Sequence, residues 1–514
     1  MKHLNLSYFA TCALLMASGC VRNDEPYRVS FPMLNPAHAD TGAGSWKTIL
    51  LKAPDEVAVA TPTASTAADY RLELQEILAR QEQKTKKDEA ALEYWGAGTV
   101  LRWNEILREL VAKYNLPTVA NPDGSYPIPS NNNPLAYPYF PFSNPPYAAR
   151  AYAYVSAAQY DALVAATHYR QKFRRPNPSK ANTSIQELIP VAGNYSYPSD
   201  DITAAGAAVA LMKLLFPGEQ AYLEGKLQEC INTMILSGTC VRSDADAGEK
   251  LGRDVAAKFI ARARTDRAGS TVGTPADWKK LEDNAIARGE IPWISQETPK
   301  RPPMLPLFGK VSGFLVDSAA MVGNRPAPPP SIHSEQFKRE LAEVKAYSKS
   351  ATREQFRIVH FWGDGVGTYT PPGHWNAIAC EDFAKEHFSE VRWARNLALL
   401  NMSMMDAVIC CWDAKFYYFN PRPSQIDPEI KTLTGLPNFP SYTSGHSTFS
   451  GAAATLLGHI IPQRAAAYNA MALEASLSRL YGAIHYRSDI ETGMNMGISI
   501  GTKAVQRAQT DGAE

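Results

Sequence analysis

The sequence predicts an all-α protein built as two related helical bundles, and three observations predict it. Apolar residues recur at helical spacing over long stretches, as at Leu101, Trp103, Ile106, Leu107 and Leu110. No strand-like alternation of any length competes with them. The chain also repeats itself: shifted by 245 positions, Tyr197–Pro217 aligns without gaps on Tyr442–Pro462, with identities at Tyr197/Tyr442, Ser199/Ser444, Thr203/Thr448, Gly206/Gly451 and Pro217/Pro462. The same shift places Asp161-Ala162 on Asp406-Ala407 and Arg242-Ser243-Asp244 on Arg487-Ser488-Asp489. Trp103-Asn104-x-Ile106 separately echoes Trp375-Asn376-x-Ile378. A constant register over about a hundred residues marks an internal duplication.

Taken in order, the chain opens with Lys2 and His3 before an apolar stretch, Tyr8–Ala17, that ends Ala17-Ser18-Gly19-Cys20. Residues 1–20 read as a secretory signal whose end resembles a bacterial lipobox, with Ala17 where Leu is usual and Cys20 as the lipidated residue. The expectation is an exported bacterial protein of the periplasm, outer membrane or cell surface, tethered by lipid and not spanning the membrane. Residues 21–66, rich in Pro, Ala, Thr and Gly, read as a flexible tether. Residues 67–270 form the first bundle, with helices over Tyr70–Gln83, Ala90–Tyr114 and Ala148–His168 and a long Pro/Asn/Tyr loop over Asn115–Pro146. Residues 271–349, Pro- and Gly-rich, are a connection holding a short helix over Ser334–Tyr347. Residues 350–514 are the second bundle.

Composition narrows the function. A net charge of +1 argues against nucleic-acid partners. The longest apolar runs noted, Ala204–Phe216 and Gly451–Ile461, fall short of the roughly 20 residues a membrane helix needs, so the body is expected to be soluble. Seven cysteines include Cys230 and Cys240, near enough in sequence to pair, though sequence alone leaves that open. No Cys/His spacing suggests zinc.

The chemistry concentrates in residues 412–489: Trp412-x-x-Lys415-x6-Arg422-Pro423, then Ser444-Gly445-His446, then Ser478-Arg479-x5-His485-x3-Asp489. Lys415 offers a point charge, and Arg422 and Arg479 offer planar forks matched to pairs of oxygens on a tetrahedral oxyanion. Ser444-Gly445-His446 precedes a helical stretch whose N-terminal N–H groups would face the same anion. Ser488-Asp489-Ile490-Glu491 reads as a capping box that puts His485 and Asp489 at another helix start. Two imidazoles beside three cations imply a nucleophile or ligand and an acid/base, not simple anion storage. The first copy has lost this set, with Arg170 for Lys415, Asn177 for Arg422, Asp201 for His446, Met234 for Arg479 and Cys240 for His485.

These three blocks resemble the signature of the vanadium-dependent haloperoxidase and type 2 phosphatidic-acid phosphatase superfamily, with Thr443 where Pro is usual. The resemblance implies a vanadium chloroperoxidase-like fold of paired helical bundles. It implies that Lys415, Arg422, Ser444, Gly445 and Arg479 hold vanadate, or phosphate in the same site. His485 becomes the vanadium ligand or the phosphoryl acceptor, Asp489 its orienting carboxylate and His446 the acid/base. Trp412 and Phe439 stand where haloperoxidases line the halide pocket, an aromatic there resembling the chloroperoxidase pattern. By the same carry-over Asp364, in Trp362-Gly363-Asp364-Gly365, salt-bridges Arg479, while His374 reads as structural. The expected activity is oxidation of halide by hydrogen peroxide. The alternatives are an acid phosphatase that cleaves a phosphate ester through phosphohistidine, and a non-catalytic oxyanion-binding lipoprotein.

Overall fold

The computed structural model describes residues 30–116, 121–123, 144–191 and 193–513. The expected signal segment, Cys12 and Cys20 lie outside them. Contacts divide the chain into residues 1–32 and 33–514. Of the first unit only 30–32 are described, without regular structure, and every helix among the described residues belongs to the second.

The longer helices are α1 (Ala68–Glu82), α2 (Lys86–Gly96), α3 (Thr99–Tyr114), α4 (Pro145–Phe173), α5 (Asp200–Leu215), α6 (Gln220–Ser237), α7 (Arg242–Thr265), α8 (Pro275–Ala287), α9 (Glu335–Ser350), α10 (Arg353–Phe361), α11 (Thr370–Phe383), α12 (Glu390–Tyr418), α13 (Gly445–Ile460), α14 (Ala465–Tyr481) and α15 (Arg487–Ala508). No strand occurs among the described residues; one isolated bridge joins Pro176 and Tyr195. The all-α expectation holds.

The duplication reaches the helix ends. Moved by 245, α4 falls on α12, α5 on α13, and the one-turn helix Pro178–Ala181 on Pro423–Ile426. The starts of α6 and α7 fall on those of α14 and α15. The local causes repeat as well. Ser199 and Ser444 cap α5 and α13 by accepting from the Ile202 and Ser447 N–H groups. α4 and α12 both stop at a left-handed residue, Arg174 and Phe419. The two long helices pack against each other at the centre. Across the interface between the copies, Asn104 Nδ2 donates to Asn376 Oδ1 at 2.8 Å, and within the second copy Asn376 Nδ2 donates to Asn401 Oδ1 at 2.7 Å. The echo of Trp103-Asn104 in Trp375-Asn376 is therefore a contact between related positions.

Three expectations change. The stretch Ala90–Tyr114 is two helices, because Gly98 takes φ of +119°, a value open to glycine and strained for other residues. The break frees the Thr99 and Val100 N–H groups to donate to the Glu390 carboxylate on α12. Residues 33–66 are not a loose tether. Trp46, Leu51 and Val57 are buried, and the N–H groups of Ile49, Leu50 and Leu51 donate to the Asp161 carboxylate at 2.6–2.9 Å. The connection repeats that arm, with Phe314, Leu315 and Val316 donating to Asp406 at 2.7–2.8 Å. Finally, an apolar window in the Glu390–Ile426 span is long enough to cross a membrane, which the shorter runs had not suggested, but 94% of it is buried inside the protein. Cys230 and Cys240 are buried free thiols.

Within each copy two helices touch backbone to backbone. A Cβ at Gly497 on α15 would lie 2.2 Å from the Thr448 carbonyl oxygen on α13, and one at Gly493 would lie 2.7 Å from that of Ser444. This contact holds the start of α15 against the start of α13, where Ser444 N–H donates to the Asp489 carbonyl at 2.9 Å. Gly497→Ala therefore forces the pair apart, and we expect a loss of roughly 1–3 kcal/mol in chemical denaturation. A loss below about 0.5 kcal/mol, the range of an ordinary surface substitution, would show that the helix pair yields at no cost.

Candidate active site

The three sequence blocks converge on one end of the second bundle. Lys415 sits in the last turn of α12, and Arg422 follows the left-handed exit at Phe419. Ser444-Gly445-His446 opens α13, Arg479 lies in the last turn of α14, and His485 occupies the link into α15. The cap of α15 differs from expectation. Its N-cap is Tyr486, whose N–H donates to Asp489 Oδ2 at 3.0 Å, while the Ser488 hydroxyl turns away to Glu340. The helix starts earlier than a Ser488–Glu491 box allows, and this places Asp489 beneath His485.

Lys415 and Arg422 are fully buried and Arg479 is 2% exposed. None forms an ion pair with a carboxylate among the described residues; backbone carbonyls hold them. Lys415 Nζ donates to Pro440 O at 2.9 Å and Ser441 O at 2.8 Å. Arg422 donates through Nε to Phe439 O at 3.0 Å and through Nη1 to Ile484 O at 2.7 Å. Arg479 Nη1 donates to Trp362 O at 2.9 Å. Arg422 Nη2 and Arg479 Nε remain buried without a hydrogen-bond partner. Burial pulls Lys415 down to about 7, with Arg422 adding to the effect, and pulls Arg422 to about 9 and Arg479 to about 10. Both guanidinium groups stay charged at neutral pH.

Arg422 Nη1 lies 3.0 Å from His485 Nε2, and His485 Nδ1 lies 2.9 Å from Asp489 Oδ2. Because a guanidinium only donates, Nε2 is the acceptor and Nδ1 carries the proton toward the carboxylate. Burial, then Arg422 and Lys415, hold His485 well below its ordinary value, so the ring is neutral with its lone pair among the cations. Burial raises Asp489 to about 6, against the Ser441 hydroxyl and Tyr486 N–H groups that donate to it. It is therefore ionised at pH 7 behind His485.

Orphaned donors on Arg422 and Arg479 and the first N–H groups of α13 fit a tetrahedral oxyanion such as vanadate or phosphate, beside an unprotonated His485 Nε2 that accepts from Arg422 Nη1 in this structure. His446, the second residue of α13, has Nε2 buried without a partner and 3.7 Å from Asp364 Oδ2. Burial and Arg479 lower its proton affinity as well.

Asp364 corrects one expectation. It forms no ion pair with Arg479 and meets His374 Nδ1 at 3.0 Å, although its charge still raises the Arg479 value. His374, read as structural, holds that carboxylate and stacks on Trp362 with ring centroids 4.5 Å apart. A clue was its position ten residues after Asp364, which one turn and a helix start bring together. Trp412 and Phe439 stand with ring centroids 5.0 Å apart, and Lys415 Nζ is 5.0 Å from the Phe439 centroid. With His446, Arg479 and His485 they line a cavity of about 300 Å³.

The equivalent place in the first copy is filled differently. Arg170 is paired with Asp200, and Asp201, replacing His446, accepts from the Thr99 hydroxyl at 2.9 Å. Desolvation and then the Asp200 charge push the Asp201 carboxyl up to about 7, and desolvation and then the Asp201 charge push Glu390 up to about 8. An oxyanion has no place there.

Residues 396–512 match the PAP2 superfamily. The vanadium chloroperoxidase of Curvularia inaequalis is 24% identical over 389 residues, covering 61% of this chain and 60% of that protein. The match thus spans less than two thirds of that relative's length. Among solved structures, a bacterial vanadium-dependent iodoperoxidase is similar with 26% identity and a TM-score of 0.56, covering 71% of this chain and 91% of the other. The comparisons support the PAP2/haloperoxidase-like superfamily, with the family model itself matching the second bundle. A holo-type bacterial vanadium-dependent chloroperoxidase, 11% identical with a TM-score of 0.51 and covering 74% of this chain and 96% of its own, shares the fold. Within the superfamily match lie all three cations and both histidines of the site.

Lys415 supplies a pH signature. Its value near 7 rises when an anion binds beside it, so binding takes up a proton. Affinity for phosphate or vanadate should be full below pH 7 and fall as pH rises toward the bound-state value. Lys415→Met should weaken binding roughly tenfold to a hundredfold and abolish the proton uptake assigned to this residue. Calorimetry in buffers of different ionisation enthalpy measures both.

Proposed function

We propose that the protein is a vanadium-dependent haloperoxidase-like enzyme that oxidises halide with hydrogen peroxide. The observation that carries the reading is the neutral, carboxylate-oriented His485, its Nε2 lone pair set among three buried cations that lack carboxylate partners. The likeness to an iodoperoxidase and the Trp412–Phe439 wall beside Lys415 favour halide oxidation. Vanadate held by Lys415, Arg422, Ser444, Gly445, Arg479 and His485 would supply a Lewis-acid centre that activates peroxide without changing valence. Asp489 keeps the His485 proton on Nδ1 and so keeps Nε2 free for coordination. His446 Nε2, neutral and facing the cavity, takes the proton of the incoming peroxide, and Asp364 at 3.7 Å stabilises the imidazolium that forms.

The same unprotonated Nε2, once released by Arg422, is also the layout of a phosphoryl acceptor, which supports an acid phosphatase as the second reading. The test uses purified protein freed of phosphate and mixed with orthovanadate. Peroxide-dependent oxidation of iodide, bromide and chloride is assayed with hydrolysis of p-nitrophenyl phosphate alongside. Vanadate-dependent halide oxidation that disappears in His485→Ala is the expected result. Hydrolysis inhibited by vanadate, with no halide oxidation, would establish the phosphatase instead. Tight vanadate binding without either reaction would leave an oxyanion-binding protein.

Export and lipidation belong to the proposal too, resting on the Ala17-Ser18-Gly19-Cys20 sequence. Cells expressing the full chain should incorporate labelled palmitate into it, and Cys20→Ala should incorporate none. Equal labelling of both would remove the anchor.

A further inference from the structure

The cavity above His446 has a second charged feature that the oxyanion site does not use. Arg301 and Glu297 line the same cavity as Trp412, Phe439 and His446. Arg301 Nη2 donates to Glu297 Oε1 at 2.7 Å, while Arg301 Nε is buried with no hydrogen-bond partner. The backbone around it is fastened to the aromatic wall. Asn438 Nδ2 donates to Pro302 O at 2.6 Å, the Met304 N–H donates to Asn438 O at 3.1 Å, and Trp412 Nε1 donates to Met304 O at 3.2 Å. Arg301 is thus carried at the start of a strap tied at Pro302 and Met304 to Asn438, the neighbour of Phe439, and to Trp412, so the wall itself fixes the chain that follows it. Part of its guanidinium is spent on Glu297, and a buried N–H remains to be satisfied.

We propose that Arg301 forms an anion subsite for the organic substrate, and that the cavity admits a flat apolar molecule bearing one carboxylate. The apolar body lies against Trp412 and Phe439, and the carboxylate accepts from Arg301 in competition with Glu297. A cavity of about 300 Å³ has room for a substituted benzene ring. The anionic end is held at Arg301, apart from the hole formed by Lys415, Arg422 and Arg479. This reading rests on the cavity being the reaction chamber of the proposed enzyme, yet binding alone tests it.

The experiment measures affinity of 4-hydroxybenzoate and phenol for the purified protein in saturating phosphate, which occupies the oxyanion hole. Wild type should prefer 4-hydroxybenzoate roughly tenfold, the worth of one charge-assisted hydrogen bond. Arg301→Gln should erase the preference. Glu297→Gln removes the competitor for the guanidinium and should enlarge it. Phosphate affinity, measured separately, should stay the same in both variants. A general loss of folding would move both variants in one direction, so the opposite signs identify the subsite. Equal binding of the two ligands to wild type, a preference that survives Arg301→Gln, or displacement of 4-hydroxybenzoate by phosphate would each overturn the proposal. A protein that binds as expected but neither oxidises halide nor hydrolyses esters would refute the proposed reaction and keep the subsite.

Discussion

Three buried cations without a carboxylate partner are the constraint on which the site depends. Moving an ammonium or guanidinium out of water costs several kcal/mol each even after relaxation, and here Lys415, Arg422 and Arg479 are held by carbonyl oxygens and, for Arg422, by the neutral His485 ring as well. Carbonyl dipoles offset part of that cost and leave the net charge in place. The remainder appears as lowered proton affinities at all three residues and at both histidines. The proposed oxyanion would supply the missing counter-charge, and the fold sets up that demand before any ligand arrives.

The rest of the molecule is the frame that tolerates this. The paired glycine contacts of α13 and α15 bring two helix starts together, so His446 and the His485–Asp489 pair face one point. The related helix pair α5 and α7 makes the same contacts: a Cβ at Gly252 would lie 2.2 Å from the Thr203 carbonyl oxygen. Duplication thus provided two equivalent concavities. In the first, Asp201 stands for His446 and Cys240 for His485, and Asp200 neutralises Arg170. That copy also contributes directly to the second bundle, through α4 packed on α12 and the Asn104–Asn376 bond.

The misjudged elements share a cause. Residues 21–66 have the composition of a tether, and the sequence does not show that the buried Asp161 carboxylate in a distant helix fastens the Ile49, Leu50 and Leu51 N–H groups. Asp364 and His374 are ten residues apart, and the sequence shows neither which cation the carboxylate meets nor that Trp362 stacks on the imidazole. Arg301 lies in a Pro-rich stretch with no pattern of its own, and it reaches the cavity only because Asn438 and Trp412 anchor the strap. Each depends on a contact between segments far apart in sequence or on the sharp turn between near ones.

By itself the sequence determined the helical class, the duplication and the set of residues for which oxyanion binding is proposed. Those are carried by local periodicity, by a constant register and by residues whose chemistry is evident from type and spacing. Tertiary structure alone decided the ionisation and tautomer of those residues, the pairing of Asp364 and the walls of the cavity. Proton affinity and hydrogen-bond partners follow from burial and distance, and neither is a property of a residue taken with its neighbours in sequence.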